Sequence, residues 1–151
     1  MIGNPKVSVI LTSYNHEKFL RESIDGVLNQ TFKDYELIIC DDASTDHSWD
    51  IICSYDDSRI ISYRNNINIV RGNLNNMIEQ VAHGEYIAIH HSDDAWEPTK
   101  LEKQVHFLDT HPTIGAVFTN AHLIGENGDS LNDSSHFLYN IFDQPNRDRL
   151  G

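Results

Sequence analysis

Short apolar runs rich in β-branched residues alternate with amphipathic stretches along most of the chain, and this alternation limits the possible folds more than any other feature. The runs cover Val7–Thr12, Tyr35–Cys40, Arg59–Tyr63, Tyr86–His90 and Ile114–Thr119. Runs of this kind fill buried parallel strands, whereas the stretches between them carry apolar residues at helical spacing. Repeated strand–helix–strand units predict an α/β fold with a mostly parallel, doubly wound sheet and helices on both faces.

Four helices are predicted between these strands. The first runs from about Glu17 to Gln30, with Leu20, Ile24, Val27 and Leu28 on one face. The second is capped by Ser44, has Asp46 in its first turn and buries Trp49, Ile52 and Cys53. The third covers Asn73–Ala82 before a left-handed cap at Gly84, and the fourth starts at Pro98 and carries Leu101, Val105 and Leu108. Asn127-Gly128 predicts a hairpin within His122–Leu131.

The length and charge of the chain indicate that it folds and exclude one class of partner. The chain has 151 residues, a one-domain length, and 39% of them are apolar, so it is expected to fold. Its 23 acidic and 11 basic side chains give a formal charge of -12. That balance excludes a nucleic-acid partner, because neutralising phosphates requires a surplus of Lys and Arg. An anionic nucleotide can still bind if a divalent cation lies between it and the protein.

Targeting signals and disulfides are not predicted. The segment Met1–Lys6 lacks the apolar core of a signal peptide, and no apolar run approaches the roughly 18 residues of a membrane span. A soluble, cytoplasmic protein is expected, with peripheral membrane association of the full-length protein left open. Cys40 and Cys53 lie in apolar runs and are expected to be small buried residues.

Polar clusters follow three of the predicted strands. Ser13-Tyr14-Asn15 follows the first, Asp41-Asp42 the second and Ser92-Asp93-Asp94 the fourth. Ligands of open parallel sheets bind beyond the carboxyl ends of the strands, near the point where strand order reverses. The three clusters therefore predict one binding site at that edge.

The acidic pairs allow two interpretations each. Adjacent carboxylates at Asp93-Asp94 suit Mg²⁺ or Mn²⁺, which bind through one or two carboxylates plus substrate phosphates, or they form a capping loop ahead of the next helix. Asp42 is a helix cap or an acceptor for an N–H of a base. Tyr14 is a packed loop aromatic or a face on which a base stacks.

The positions of histidine and glycine residues limit which side chains can hold a metal ion and how a phosphate can be bound. His90 and His91 precede the acidic pair, but neighbouring strand residues point to opposite faces, so both rings are not expected at one ion. Neither GxGxxG nor GxxxxGK[ST] occurs, so a bound phosphate is expected to be held through a metal.

Two segments resemble the family 2 glycosyltransferases of the GT-A fold. These are VSVILTSYNHEKFLRESIDGVLNQTFKDYELIICDDASTD and GEYIAIHHSDDAWEPTKLEKQ, within a similarity that runs from about Lys6 to Asn120. The resemblance implies a Rossmann-like donor domain and Mg²⁺ or Mn²⁺ as cofactor. It also implies that Thr12 and Tyr14 contact the base, Asp42 hydrogen-bonds it, Asp93 approaches the ribose and Asp94 coordinates the metal on the diphosphate.

The same resemblance implies an activity and its partners. The expected reaction is inverting transfer of a sugar from a nucleotide diphosphate sugar to a saccharide or lipid-linked acceptor, in cell-surface polysaccharide biosynthesis. Residues 1–125 are expected to form the nucleotide-sugar-binding domain, and 126–151 a hairpin and polar tail that lead to an acceptor-binding half. The catalytic base is expected beyond Gly151, so the chain alone is expected to bind the donor without transferring sugar.

Two departures from the family pattern concern the metal and the diphosphate. Many relatives carry Asp where His91 stands. Relatives also often have an Ala-Arg-Asn segment where this chain reads Leu74-Asn75-Asn76, so Arg71, one turn earlier, is either a substitute or a solvated residue. Two other classes of protein stay open: a receiver-type Mg²⁺-binding signalling domain, although no Lys follows Lys103, and a non-catalytic nucleotide-binding module.

Overall fold

The computed structural model describes residues 4–69, 72–125 and 129. The chain divides into two compact units, Met1–Thr110 and His111–Gly151. The first unit contains the sheet and its helices, and its architecture is the predicted one. The domain boundary placed after residue 125 stays a prediction.

A four-stranded parallel sheet forms the centre of the first unit. Its strands are β1 (Val7–Ser13), β2 (Tyr35–Asp41), β3 (Ile60–Arg64) and β4 (Tyr86–His91). They are ordered β3-β2-β1-β4. The strands β2 and β3 thus follow β1 on one side, and β4 pairs with β1 on the opposite side. Strand order therefore reverses between β1 and β4, where an open α/β sheet leaves a crevice.

Helices cover both faces of the sheet. They are α1 (Leu20–Leu28), α2 (Ser48–Cys53), α3 (Gly72–Gln80) and α4 (Lys100–Thr110). On one face, Leu20, Ile24 and Val27 of α1, Ile52 of α2, and Leu101 and Val105 of α4 join one core cluster with the sheet. On the other face, Met77 of α3 packs with Ile10, Ile38 and Cys40. The strands β1 and β2 are buried at almost every position, and most of their residues are apolar because both of their faces are covered.

The second helix begins later than its predicted cap. The helix α2 starts at Ser48, with His47 in the cap position and no side-chain capping bond there. The Ser44 hydroxyl instead accepts the backbone N–H of Asn15 at 2.9 Å. Asp46, predicted within the first turn, precedes the helix and accepts the Ser48 N–H at 2.9 Å. The cap prediction was wrong because a neighbouring loop uses the Ser44 hydroxyl.

Gly84 is required for space rather than for a left-handed cap. The third helix ends at Gln80, and Gly84 lacks a positive φ. A Cβ atom on Gly84 would lie 2.3 Å from the backbone nitrogen of Ser8. The chain therefore passes β1 too closely for any side chain at this position.

Three further expectations have different outcomes. Residues 114–119 form no strand, and Ile114 and Phe118 are 44% and 90% exposed, so apolar composition without a partner strand misled the prediction. Cys40 is buried as expected, but Cys53 at the end of α2 is exposed. The hairpin turn at Asn127-Gly128 lies outside the described residues. Among the described helices, none is long and apolar enough to cross a bilayer.

Candidate functional site: a cleft at the strand-order reversal

A cleft of about 460 Å³ opens at the carboxyl edge of the sheet, where β1 and β4 end. Its size falls within the range of small-molecule and cofactor pockets. It is lined by Thr12, Ser13, Tyr14, His16, Asp42, Asn68, His91, Ser92 and Asp93. All three polar clusters predicted from the sequence therefore contribute to one cleft.

Four of the five predicted site residues line the cleft, and the fifth does not. Thr12, Tyr14, Asp42 and Asp93 line the cleft, whereas Asp94 is absent from its lining. Asp94 is exposed and closes a turn, because its backbone N–H donates to the His91 carbonyl at 3.1 Å. The grouping of the first four residues is as predicted. The individual roles of all five stay predictions.

Asp42 is held in the cleft wall rather than at a helix end. It is 5% exposed, and its Oδ1 accepts hydrogen bonds from the Asn65 amide at 2.8 Å and the Ile69 backbone N–H at 3.0 Å. Its own backbone N–H donates to the Ser13 carbonyl at 2.8 Å. Because hydrogen bonds to a charged group fix its orientation, the Asp42 carboxylate is a preorganised acceptor.

The loop after β1 is hydrogen-bonded to the loop after β2 and to the start of α2. The backbone N–H of His16 donates to the Ser48 hydroxyl at 3.1 Å, and the Thr45 N–H donates to Asn15 Oδ1 at 2.8 Å. Asn15 has a φ of 54°, a left-handed conformation that Asn tolerates better than most residues. These bonds fix the path of the chain beside Tyr14, which keeps 44% of its surface exposed in the cleft.

His16 and Asn68 line the cleft although neither was predicted from the sequence as a site residue. The Nδ1 of His16 lies 2.7 Å from the Ser92 hydroxyl, so this ring joins the end of β1 to the turn after β4. Asn68 comes from the connection between β3 and α3. His16 directly follows the Ser13-Tyr14-Asn15 cluster and could have been included on that basis. Asn68 lies in a polar stretch with no distinguishing pattern.

The two adjacent histidines point to opposite faces, as predicted. His91 lines the cleft, whereas His90 is 1% exposed and packs against the Trp96 ring with centroids 4.4 Å apart. His90 Nε2 lies 2.8 Å from the Ser23 hydroxyl, which itself donates to the His91 carbonyl. Burial lowers the pKa of His90 to about 4, so this ring is neutral near pH 7.

The acidic pair fits a metal that a nucleotide helps to hold. Within the described ranges, no group of three His, Cys, Asp or Glu side chains could hold an ion by itself. Mg²⁺ and Mn²⁺ bind instead through one or two carboxylates plus substrate phosphates, and Asp93 and Asp94 are both exposed at the end of β4. Burial lowers the pKa of the nearby Lys100 ammonium group, and the Asp94 carboxylate opposes that shift. Arg71 lies outside the described residues.

Several known proteins with similar sequences are named as glycosyltransferases. The family model "Glycosyl transferase family 2" matches residues 8–150. WfaP of Escherichia coli, a UDP-Glc:alpha-D-GlcNAc-diphosphoundecaprenol beta-1,3-glucosyltransferase, is 43% identical over 104 residues, which are 69% of this chain and 41% of WfaP. An uncharacterised glycosyltransferase of Methanocaldococcus jannaschii is 38% identical over 88% of this chain and 48% of its own. The chain thus spans less than half the length of these two relatives.

Solved structures support the same grouping. S. aureus TarS in complex with UDP-GlcNAc has a TM-score of 0.66 and 29% identity, over 71% of this chain and 32% of TarS. The mannosyltransferase PcManGT of Pyrobaculum calidifontis, solved with GDP-Man and Mn²⁺, matches with a TM-score of 0.67 at 24% identity, which shows the fold alone. With the cleft at the strand-order reversal and the family model over nearly the whole length, the chain belongs to glycosyl transferase family 2.

Proposed function

We propose that the cleft binds a nucleoside diphosphate sugar together with Mg²⁺ or Mn²⁺, as the donor site of an inverting glycosyltransferase. The observation that carries this proposal is the grouping of Thr12, Tyr14, Asp42 and Asp93 in one cleft beside the metal-compatible turn at Asp94. A cleft of this size accommodates a nucleotide-sized ligand. The acidic surroundings require a cation between the protein and the diphosphate.

Each cleft residue has a distinct part in this proposal. The Asp42 carboxylate accepts an N–H of the base, and the exposed ring of Tyr14 offers it a stacking face beside Thr12. Asp93 accepts hydrogen bonds from the ribose hydroxyls. Asp94 would hold the cation, and a cation at this position would supply charge neutralisation for a nucleoside diphosphate leaving group. The base that deprotonates the acceptor is not assigned to any residue of this cleft.

We propose uracil as the base, because it occurs in the named donor of one relative and in the ligand of one solved structure. WfaP is named for a UDP-Glc donor, and TarS was solved with UDP and with UDP-GlcNAc. The named acceptor of WfaP is linked to diphosphoundecaprenol, a lipid carrier. We therefore include in the proposal a saccharide or lipid-linked acceptor, a role in cell-surface polysaccharide biosynthesis, and a cytoplasmic protein that works at the membrane surface. The division into a donor domain at 1–125 and a following segment belongs to the same proposal.

The other classes are less favoured. A receiver-type signalling domain is not favoured because the family model and the named relatives are glycosyltransferases. A non-catalytic module of the same fold would bind the nucleotide as the enzyme does but would not transfer the sugar. Release of UDP from UDP-sugars by a full-length protein, stimulated by an acceptor, would distinguish the enzyme from that module.

Isothermal titration calorimetry tests the donor site directly. UDP and GDP are titrated into the 151-residue chain with Mn²⁺, with Mg²⁺ and with EDTA. We expect metal-dependent binding of UDP that is tighter than that of GDP. Asp94→Ala should remove the metal dependence of UDP binding. Asp42→Ala should weaken UDP binding but leave it dependent on the metal. No metal-dependent heat for either nucleotide would refute the proposal, and Asp129→Ala, at an exposed acid in the second unit, is the matched control.

A further inference from the structure

Two consecutive residues at the end of β3 bind two consecutive acids at the end of β2. The parallel register pairs Arg64 with Asp41, and one residue further the Asn65 amide donates to Asp42 Oδ1 at 2.8 Å. The backbone N–H of Asn65 also donates to the Asp41 carbonyl at 2.8 Å, so it extends the strand pairing by one step. Neither Arg64 nor Asn65 lines the cleft itself.

Asp41 stabilises the turn that carries Asp42. Asp41 is fully buried, and its Oδ2 accepts Arg64 Nε at 3.0 Å and the Ser44 backbone N–H at 3.0 Å. Arg64 Nη2 also donates to the Ser44 carbonyl. Between these anchors, Ala43 has a φ of 62°, a region that alanine rarely occupies. A backbone held in a rare conformation by surrounding bonds is typical of sites where a neighbouring group must be oriented.

We propose that Asn65, supported by the Arg64–Asp41 ion pair, is a positioning residue that orients the Asp42 carboxylate toward the base of the nucleotide and so determines base recognition. Asn65 and Ile69 both donate to Oδ1, so the orientation of the carboxylate plane is fixed before a ligand arrives. A site residue held by a supporting hydrogen bond loses little conformational freedom when it binds its partner. This inference rests on the proposed function, because it concerns the base that the cleft is proposed to bind.

The test compares UDP with the same ligand without its base. Binding of UDP and of ribose 5-diphosphate, each with Mn²⁺, is measured by calorimetry for the wild-type chain and for Asn65→Ala. We expect the substitution to weaken UDP binding about tenfold, in line with the loss of one hydrogen bond to a charged group, and ribose 5-diphosphate binding less than about twofold. Asn66→Ala, the same change at the exposed neighbouring residue, is the matched control and should alter neither affinity.

A thermodynamic cycle separates positioning from general damage. In an Asp42→Ala background, Asn65→Ala should cause no further loss of UDP affinity, because Asn65 acts through Asp42. Unchanged UDP binding in Asn65→Ala, equal losses for both ligands, or additive losses in the double variant would each overturn the inference. Asn65→Ser serves as a second variant if Asn65→Ala unfolds. If the wild-type chain binds neither UDP nor GDP with metal, the proposed function fails instead.

Discussion

The buried ring of His90 predicts a specific loss of stability in mild acid. His90 is 1% exposed, and Nε2 faces the Ser23 hydroxyl and carbonyl at 2.8 and 3.2 Å. Because the Ser23 hydroxyl donates to the His91 carbonyl, Nε2 must carry the proton of the neutral ring. Its Nδ1 is buried without a hydrogen-bond partner among the described residues. A second proton on Nδ1 would therefore be buried without an acceptor.

The size of the effect follows from the pKa of His90. Burial, the largest cause, lowers this pKa from 6.5 to about 4, while the backbone hydrogen bond to Ser23 opposes the shift. As the pH falls below 6.5, the His90 ring becomes protonated in the unfolded chain, whereas in the folded chain it stays neutral until about pH 4. The free energy of unfolding therefore falls as the pH falls through this range. The difference in proton affinity corresponds to about 3 kcal/mol in total, of which about 2 kcal/mol is lost between pH 7 and pH 5.

Urea denaturation at pH 7 and pH 5 measures this loss, with His90→Leu as the comparison. The leucine variant keeps an apolar side chain against Trp96 and leaves the Ser23 hydroxyl bonded to the His91 carbonyl. Its change in unfolding free energy between the two pH values should be smaller than that of the wild type by about 2 kcal/mol. The comparison is needed because Asp50 raises the pKa of His47, which contributes with the opposite sign. Equal pH dependence in the two proteins would refute the reasoning.

Five substitutions, two of them controls, test the packing of the sheet and its turns. Gly84→Ala places a Cβ 2.3 Å from the Ser8 backbone nitrogen and should lower the free energy of unfolding, measured by chemical denaturation, by about 2 kcal/mol or more. Gly115→Ala is the control and should have little effect, because no described atom lies within 4 Å of its Cβ position. Ala43→Gly relieves a φ of 62° and should leave thermal stability unchanged or raise it by up to about 1 kcal/mol; a loss would contradict the left-handed assignment. Met77→Ala removes a fully buried side chain and should lower the free energy of unfolding by about 2–5 kcal/mol. Phe118→Ala changes a side chain that is 90% exposed and should lower it by less than about 0.5 kcal/mol. A large loss for Phe118→Ala would indicate that residues 114–119 form the predicted fifth strand after all.

Much of the fold could be predicted from local sequence patterns. Val7–Ser13 and Tyr35–Asp41 are buried on both faces, so their apolar runs identify them within one residue. The helical stripe of Leu20, Ile24 and Val27 was equally clear. Ile114–Thr119 has a similar composition but lacks a strand partner among the described residues, and composition cannot supply one.

The candidate site was predictable in outline and not in its hydrogen bonds. Polar residues after parallel strands must meet at one edge of the sheet, which is why Tyr14, Asp42 and Asp93 could be grouped in advance. The bond from Asn65 to Asp42 depends on the register of β3 against β2, and the bond between His16 and Ser92 depends on loop conformation. Ser44 illustrates the same limit, since a capping residue near a helix start was used by another loop.

A crystal structure of the chain with UDP and Mn²⁺, with anomalous scattering recorded for manganese, would show directly whether the cleft is a metal-dependent donor site. We predict one manganese peak at the Asp94 carboxylate that also contacts the diphosphate. We also predict the uracil ring beside Tyr14, with an N–H donated to Asp42. A nucleotide bound outside the cleft, or manganese bound to UDP without contact to Asp94, would contradict the proposed donor site.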